Sequence, residues 1–215
     1  SCLIVGALLA LFGQTYQTGA DTWQLFAVWA LLISPWVLVA RFAPIWALWL
    51  VLINLAISLY LDTHPSLAFF VFSSTDKALL SLFIFNSLIL IVWEVLSQSR
   101  DWMKQRWMAR LLATAAGTCI TSLVGWNIFQ QTVAWPLALW GGFIVAIYYG
   151  YRKRNFDLFM LTGSALSVIV VALFFVMERL EGVDELLYLL SLAMLILTLG
   201  LIAALWLKKI QEEEV

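Results

Sequence analysis

TWQLFAVWALLISPWVLVARFAPIWALWLVLINLAISLYL, residues 22–61, contains two long apolar runs and one charged residue, Arg41, between them. Each run is close to the roughly 20 residues that a helix needs to cross a bilayer. Both runs are continuously apolar and lack the ten-residue alternation of a membrane β-barrel. Residues 22–40 and 43–61 therefore predict two membrane-spanning helices, and Pro35 predicts a kink or an early end in the first.

The rest of the chain has the same character. Hydrophobic residues make up 64% of the 215 residues and charged residues 12%, against about 45–50% and about 25% in soluble domains. The composition predicts an all-α integral membrane protein, a single transmembrane domain over residues 1–215 with a polytopic bundle of about eight transmembrane helices. The apolar runs lie at about 1–15, 22–40, 43–61, 78–97, 107–128, 135–151, 157–177 and 185–207.

The first run is shorter than a membrane span, and the chain begins at Ser1. Residues 2–12 would cover only about 16–18 Å as a helix. We therefore expect an N-terminally truncated sequence, whose first helix begins upstream and which a further domain could precede.

Basic residues are distributed unevenly between the connections. The positive-inside rule assigns the connections that are rich in Lys and Arg to the cytoplasm. Both chain ends and residues 98–106 and 152–156 are then predicted to be cytoplasmic, and residues 13–21 to lie on the outer side. Ten of the twelve basic residues fall on the cytoplasmic side in this arrangement: Arg41, Arg100, Lys104, Arg106, Arg110, Arg152, Lys153, Arg154, Lys208 and Lys209.

The first outer connection, FGQTYQTGAD at residues 12–21, is rich in polar residues. Asp21 and Gln24 have the spacing of a capping box, which predicts a helix start there. Capping does not explain Gln14, Gln17 and Thr18, which would share one face if the first helix continues past the membrane surface. These three form a candidate outer-face polar site; the alternative is a simple turn.

Three polar residues fall inside the predicted spans, where such residues are functional candidates. Asn54 and Asn86, near the middles of their helices, would either line a solute path or hydrogen-bond across a helix interface. Glu94 would either form a proton or cation site or pair with a basic residue of the nearby connection, such as Arg100.

Small residues recur at every fourth position in two runs, which predicts that the fifth and sixth helices pack closely. The stripes are Ala113, Gly117 and Thr121, and Gly142, Ala146 and Gly150. The basic connection after residue 97 suggests two four-helix halves, 1–97 and 107–207, as in transporters built from repeats. Regular helix spacing gives the same pattern without a repeat.

Several function classes lack their sequence signatures. The chain has no P-loop, HExxH or GxSxG motif, so we predict no enzyme, no catalytic residue and no cofactor. His64 and Asp62 alone make an incomplete metal-ligand set, and no metal site is predicted. The chain has only short basic connections and no basic face with interleaved aromatic residues, so nucleic-acid binding is not predicted. The expected partners are the lipid bilayer and a protein, either another chain or a second copy in a homo-oligomer.

Residues 13–60 carry a more specific pattern, GQ-x-YQTGAD-x-WQLF followed by an apolar run, an arginine and a tryptophan-rich run. This pattern resembles a bacterial family of predicted membrane proteins, domain of unknown function 2157. The resemblance implies a protein of the bacterial inner membrane, often with a short soluble segment upstream. Together with the apolar runs and the distribution of basic residues, this predicts a multi-pass inner-membrane protein with residues 13–21 on the periplasmic side. The resemblance implies no activity.

Two functions fit these features. The first is a membrane scaffold or sensor, coupled to a missing upstream segment or to a partner, and it agrees with the scarcity of ionisable groups in the spans. The alternative is a small-solute transporter or channel. A continuous water-accessible path through Asn54, Asn86 and Glu94 would favour the transporter, and separate helix interfaces would favour the scaffold.

Overall fold

The computed structural model describes residues 2–16, 21–64, 74–154, 156–180, 182 and 184–213, without the side chains of residues 12–16, 74 and 154. The described residues form helices and no strand, and each predicted apolar run is helical, which confirms the all-α prediction. The helices are α1 (Cys2–Tyr16), α2 (Thr22–Ala40), α3 (Ala43–Thr63), α4 (Ser74–Ser97), α5 (Arg106–Phe129), α6 (Ala134–Tyr149), α7 (Leu158–Arg179) and α8 (Glu185–Glu212).

Six of these helices, α2–α5, α7 and α8, are long and apolar enough to cross a membrane. The other two are shorter. The apolar part of α1 is Cys2–Leu11, and α6 has 16 residues, about 24 Å against a hydrocarbon core of about 30 Å. A π-helical turn, Gly150–Arg154, continues α6.

The surface of the helices is apolar rather than charged. Val39 is 81% exposed and Leu197 72%, and none of the most apolar stretch of α8 is buried, against half of the corresponding stretch of α5. Such extended apolar surface is unfavourable in water and suits a lipid environment. Other large apolar side chains that are exposed include Leu31, Leu88, Val95, Leu166 and Leu201.

The helices group into two compact units, Ser1–Leu112 and Ala113–Val215. The boundary falls within α5, after Leu112, whereas the sequence suggested two halves on either side of the connection at residues 98–106. We call these unit 1 and unit 2.

In unit 1, α2 packs against both of its sequence neighbours. Ala30, Ile33 and Val37 of α2 form a buried cluster with Leu52 of α3. On the α1 side, the ring of Trp29 lies against Gly6, where a Cβ atom would overlap it. The Trp29 indole donates to the carbonyl oxygen of Cys2 at 2.9 Å. The glycine thus allows the close approach of α1 and α2.

Pro35 does not end α2, which continues to Ala40. Two side chains donate to the carbonyl of Ala30, five residues before the proline: the Ser34 hydroxyl at 2.8 Å and the Trp49 indole at 3.1 Å. Side chains of this kind satisfy backbone groups near proline in membrane helices. Of the two outcomes predicted for Pro35, a kink or an early end, the early end is therefore wrong.

In unit 2, buried Val124 and Ile128 of α5 contact Val171 of α7. The predicted close packing of α5 and α6 through two small-residue stripes is wrong. Gly142 is exposed, and a Cβ atom there would meet nothing within 4 Å. Where α5 does approach α6, Phe143 lies 3.7 Å from a Cβ atom built at Gly117. The α6 stripe thus points away from α5, and an aromatic ring occupies the contact.

Candidate functional site

Asn54 and Asn86, both in unit 1, lie opposite each other on α3 and α4. The Asn54 amide donates to Oδ1 of Asn86 at 3.2 Å, and the Asn86 amide donates to Oδ1 of Asn54 at 2.6 Å. Each amide also donates to a carbonyl of its own helix, that of Leu50 or Leu82, at 2.8 Å. Asn86 is 1% exposed.

This pair uses all four amide N–H donors, because an asparagine amide has two and each makes one bond across the interface and one along its helix. Both side-chain oxygens accept at least one bond. Polar groups that are satisfied in this way join helices in a membrane without needing water. Asn54 and Asn86 were predicted either to line a solute path or to hydrogen-bond across a helix interface, and their arrangement is that of an interhelical hydrogen bond.

Glu94 lies further along α4, about 12 Å from Asn86 at 1.5 Å per residue. It is half-buried, and its backbone carbonyl accepts from the Ser97 hydroxyl at 2.8 Å. Both Glu94 and the asparagine pair are thus in unit 1, at different depths of the same helix.

The start of α2 differs from the predicted capping box. Asp21 occupies the N-cap position, but its side chain makes no capping hydrogen bond. It accepts from the Trp23 indole at 3.3 Å, while the Gln24 backbone N–H donates to the Asp21 carbonyl at 3.0 Å. The predicted helix start is confirmed, since α2 begins at Thr22, but the predicted capping bond is wrong, because the carboxylate accepts from the indole instead.

The candidate outer-face site lies largely outside the described residues. Gln17 and Thr18 are not described, and only the backbone of Gln14 is, within α1. A polar site at Gln14, Gln17 and Thr18 stays a prediction.

Aromatic side chains cluster at both ends of unit 1. Trp46 at the start of α3 contacts Trp93 near the end of α4, with ring centroids 6.2 Å apart, and Trp102 at 6.1 Å. Trp102 belongs to a 3₁₀ turn, Asp101–Met103. The connection after α2 and the connection after α4 therefore lie at the same end of unit 1.

At the other end of unit 1, His64 stacks on Tyr60 with centroids 4.6 Å apart. Its Nδ1 atom lies 3.2 Å from the Tyr60 carbonyl and 3.1 Å from the Thr63 hydroxyl. The described residues hold no group of three or more metal-ligating side chains. The local role of His64 is thus to end α3 and to pack against an aromatic ring.

The connection at residues 98–106 is basic, with Arg100, Lys104 and Arg106 against one acid, Asp101. Lys104 donates to Asp101 at 2.6 Å, and this hydrogen bond, with the charge of Lys104, lowers the pKa of the carboxyl. Both side chains are exposed, so the pair adds little stability. Asp101 stays ionised at neutral pH, and the connection keeps its positive excess.

A chain of hydrogen bonds joins three helices of unit 2. The Trp140 indole of α6 donates to the Ser167 hydroxyl of α7 at 2.8 Å. Ser167 and Thr121 of α5 have their oxygens 2.6 Å apart. Since Thr121 donates to the Gly117 carbonyl at 2.6 Å, Ser167 is the donor to Thr121. Each hydroxyl thus accepts one bond and donates one.

Sequence reasoning did not identify this chain. Thr121 was expected to act as a small packing residue, and the hydroxyls of Thr121 and Ser167 were expected to bond their own helix backbones. One signal was available: Trp140 lies well inside an apolar helix, and a buried indole N–H usually has an acceptor. The identity of that acceptor depends on how α6 meets α7, which hydropathy does not specify.

Beside this chain lies a half-open cavity of about 410 Å³ between α5, α6 and α7. Its volume is within the range of small-molecule sites, about 300–1,000 Å³. Apolar residues such as Phe143, Ile147 and Phe174 form most of the wall. Hydroxyl groups also line it, from Thr114, Thr118, Thr121, Ser122, Thr162, Ser164 and Ser167.

Replacing Ser167 with alanine is expected to lower the free energy of unfolding by about 1–2 kcal/mol, because Trp140 loses its acceptor and Thr121 its donor. Unfolding in a mixed-micelle denaturant titration measures this. Ser191→Ala is the matched control, since Ser191 is exposed on α8 and donates only to its own helix at Leu187. Equal losses of unfolding free energy in the two variants would show that the hydrogen bonds of Ser167 do not join the helices.

Two segments of unit 2 that the sequence predicts to be cytoplasmic, the connection after α6 and the residues after α8, contact each other. Arg152 in the π-helical turn pairs with Glu213 just after α8, at 2.5 Å. Tyr148 stacks on Trp206, with centroids 6.2 Å apart. The end of α6 and the end of α8 therefore lie at the same end of unit 2.

Comparison with known proteins gives one match. The model of a family described as "Predicted membrane protein (DUF2157)" matches residues 1–46. This confirms the resemblance found in the sequence, although the match begins before residue 13 and ends before residue 60. It covers α1, α2 and the start of α3. No curated protein and no solved structure matches the chain. The chain is thus a membrane protein with several apolar helices, similar in its N-terminal part to a family whose description assigns no activity.

Proposed function

We propose that this protein is a multi-pass scaffold or sensor of the bacterial inner membrane, whose helices couple a protein partner or an upstream segment to the bilayer. The observation that supports this most is the Asn54–Asn86 pair. The amide donors of both residues are used in bonds to each other and to their own helices. A polar solute would have to break these bonds in order to bind there.

The second candidate function is a small-solute transporter or channel. The observation that favours it is Glu94, a half-buried acid within an apolar helix. Intramembrane carboxylates mark proton and ion pathways in many transporters. A transporter would therefore need Asn54, Asn86 or Glu94 for its activity, whereas a scaffold would not.

Complementation of a deletion strain distinguishes the two functions. Its readouts are growth and metabolite profile, compared at equal protein levels. In a scaffold, an Asn54→Leu/Asn86→Leu double variant should restore the wild-type state, because two apolar side chains replace a closed polar pair. Glu94→Gln, which keeps the shape but removes the charge, should restore it as well. Loss of complementation by either variant, at normal levels and with a normal fold, would favour the transporter.

We further propose that all eight helices cross the membrane with both chain ends in the cytoplasm. The 16 residues of α6 and the 5 of the π-helical turn together reach about 30 Å. The contacts of each unit support the orientation. They place Arg41 at the same end as residues 98–106 in unit 1, and residues 152–154 at the same end as the C-terminal end of α8 in unit 2.

Reporter fusions test this orientation. Fusions after residues 104 and 154 are expected to be active only as cytoplasmic reporters, and fusions after residues 132 and 182 only as periplasmic reporters, because the basic connections remain inside. A cytoplasmic signal at 132 would show that α5 and α6 do not both cross the membrane. A periplasmic signal at 154 would reverse the orientation of unit 2.

A further inference from the structure

The cavity between α5, α6 and α7 is uncharged. None of its lining residues is Asp, Glu, Lys, Arg or His. A carboxylate, phosphate or metal ion entering it would lose its hydration without gaining a partner of opposite charge, which is strongly unfavourable. The cavity therefore suits a neutral ligand with a large apolar part.

The hydroxyl groups of the wall restrict the ligand further. Thr118 and Thr162 each donate to the carbonyl four residues earlier in their own helix, and Ser164 to that of Leu161, at 2.7–2.8 Å. A hydroxyl has one donor and two acceptor lone pairs. Since the donors are used, these groups offer acceptors, and a ligand that bonds them must donate.

The order of polar and apolar lining residues along α7 indicates how a ligand would be oriented in the cavity. α7 begins at Leu158, so Thr162 lies about 6 Å from that end of the span, and Phe174 about 18 Å deeper than Thr162. The lining is richest in hydroxyls near Thr162 and apolar near Val170 and Phe174. A length of about 18 Å is a little more than half of a hydrocarbon core of about 30 Å, which is the depth of one leaflet.

One side of the cavity is open. Thr118, Thr162 and Leu166 line it and are exposed, whereas Ile147 and Met160 on its wall are buried. Because α5 and α7 are long and apolar enough to span the membrane, the opening lies at a depth where lipid chains are the surrounding solvent. A ligand can thus enter directly from the bilayer.

We propose that this cavity binds one acyl chain of a neutral lipid that carries a free hydroxyl, the chemistry of a diacylglycerol. The chain lies along α7 towards Phe174, and the hydroxyl donates to the oxygens around Thr162. If the protein is a sensor, this lipid would be the ligand that it senses, and only that part of the proposal rests on the proposed function. Binding of the lipid to the cavity does not require that the protein be a scaffold.

The test is photo-cross-linking of the full chain in liposomes with a diacylglycerol that bears a diazirine in one acyl chain. The expected result is saturable labelling of α5 or α7, which unlabelled diacylglycerol competes away. The same diazirine chain in phosphatidylglycerol, which has no place for its charged phosphate in the cavity, is expected to label these helices far less. Equal labelling by the two probes would overturn the proposal.

Gly163 provides the matched variant, because it lines the cavity and nothing lies within 4 Å of a Cβ atom built there. Gly163→Leu adds an apolar side chain to the cavity wall, with space for its Cβ atom, and should weaken labelling about tenfold. Gly200→Leu on α8, with equally open surroundings and outside the lining, should leave labelling unchanged. Undiminished labelling of Gly163→Leu would overturn the proposal. If labelling fails this test but the Asn54→Leu/Asn86→Leu variant complements normally, the lipid proposal is wrong and the scaffold function is still supported.

Discussion

Replacing Asn86 with leucine is expected to lower the free energy of unfolding by about 1–3 kcal/mol, because the amide of Asn54 then loses both its donor and its acceptor across the interface. Asn86 is almost fully buried, so water cannot replace the lost bonds. Unfolding of the purified protein in a mixed-micelle denaturant titration measures the loss. Asn54→Leu should have a similar effect, since the bonds are reciprocal.

The Asn54→Leu/Asn86→Leu double variant is the control for this prediction. With both amides gone, no polar group is left unsatisfied, so the double variant should be more stable than the sum of the single losses predicts. The coupling energy of such pairs in membrane proteins averages about 0.6 kcal/mol and reaches about 1.7. Strictly additive losses would show that the two side chains do not bond each other.

Replacing Gly125 with alanine is expected to lower the free energy of unfolding by about 1–3 kcal/mol, the usual effect of overpacking. A Cβ atom at this position would lie 2.6 Å from Cε2 of Phe174, well inside contact distance. To relieve this contact the Phe174 ring would have to shift, which disturbs its edge-on packing against Phe129 at 6.1 Å between centroids. The same denaturant titration measures the effect.

Gly142→Ala controls for the intrinsic effect of alanine in a helix. Gly142 is on α6, and nothing lies within 4 Å of a Cβ atom there, so this variant should be as stable as the wild type or slightly more stable. A Gly125→Ala/Phe174→Leu double variant should recover part of the loss by removing the ring. Equal stability of the Gly125→Ala and Gly142→Ala variants would contradict the close contact of α5 and α7.

The positions of the long helices could be predicted because each is specified by its own sequence. The predicted run 22–40 coincides with α2, and α3 extends the predicted run 43–61 by only one short stretch, to Thr63. The backbone must satisfy its own hydrogen bonds in lipid, so an apolar run of this length has few alternatives to a helix. The end of α6 was less predictable, since its last turn becomes a π-helix at Gly150–Arg154.

The partners of the polar side chains were harder to predict than their positions. Asn54 and Asn86 stood out as polar residues in apolar runs, but hydropathy does not specify that α3 and α4 bring them face to face. Asp21 matched a capping pattern and instead accepts from Trp23. The Trp23 indole and the backbone N–H groups of the first turn are donors that compete for the same carboxylate, and the sequence pattern does not rank them. Contacts of this kind depend on helix rotation, which tertiary packing determines.

Thiol accessibility beside the asparagine pair tests most directly whether the polar groups of unit 1 bond each other instead of lining a solute path. Ser58 is one turn from Asn54, and Ser87, next to Asn86, has a buried hydroxyl without a hydrogen-bond partner among the described residues. Cysteine at either position leaves the pair intact. The variants are made with Cys2 and Cys119 replaced by alanine, and Ser99→Cys, in an exposed connection, is the positive control.

A membrane-impermeant thiol reagent is added to intact cells and to inside-out vesicles. We expect Ser99→Cys to react in vesicles, and Ser58→Cys and Ser87→Cys to react only after denaturation. Labelling of either position in the folded protein at a rate near that of Ser99→Cys would show a water-filled path beside the pair and would contradict the scaffold.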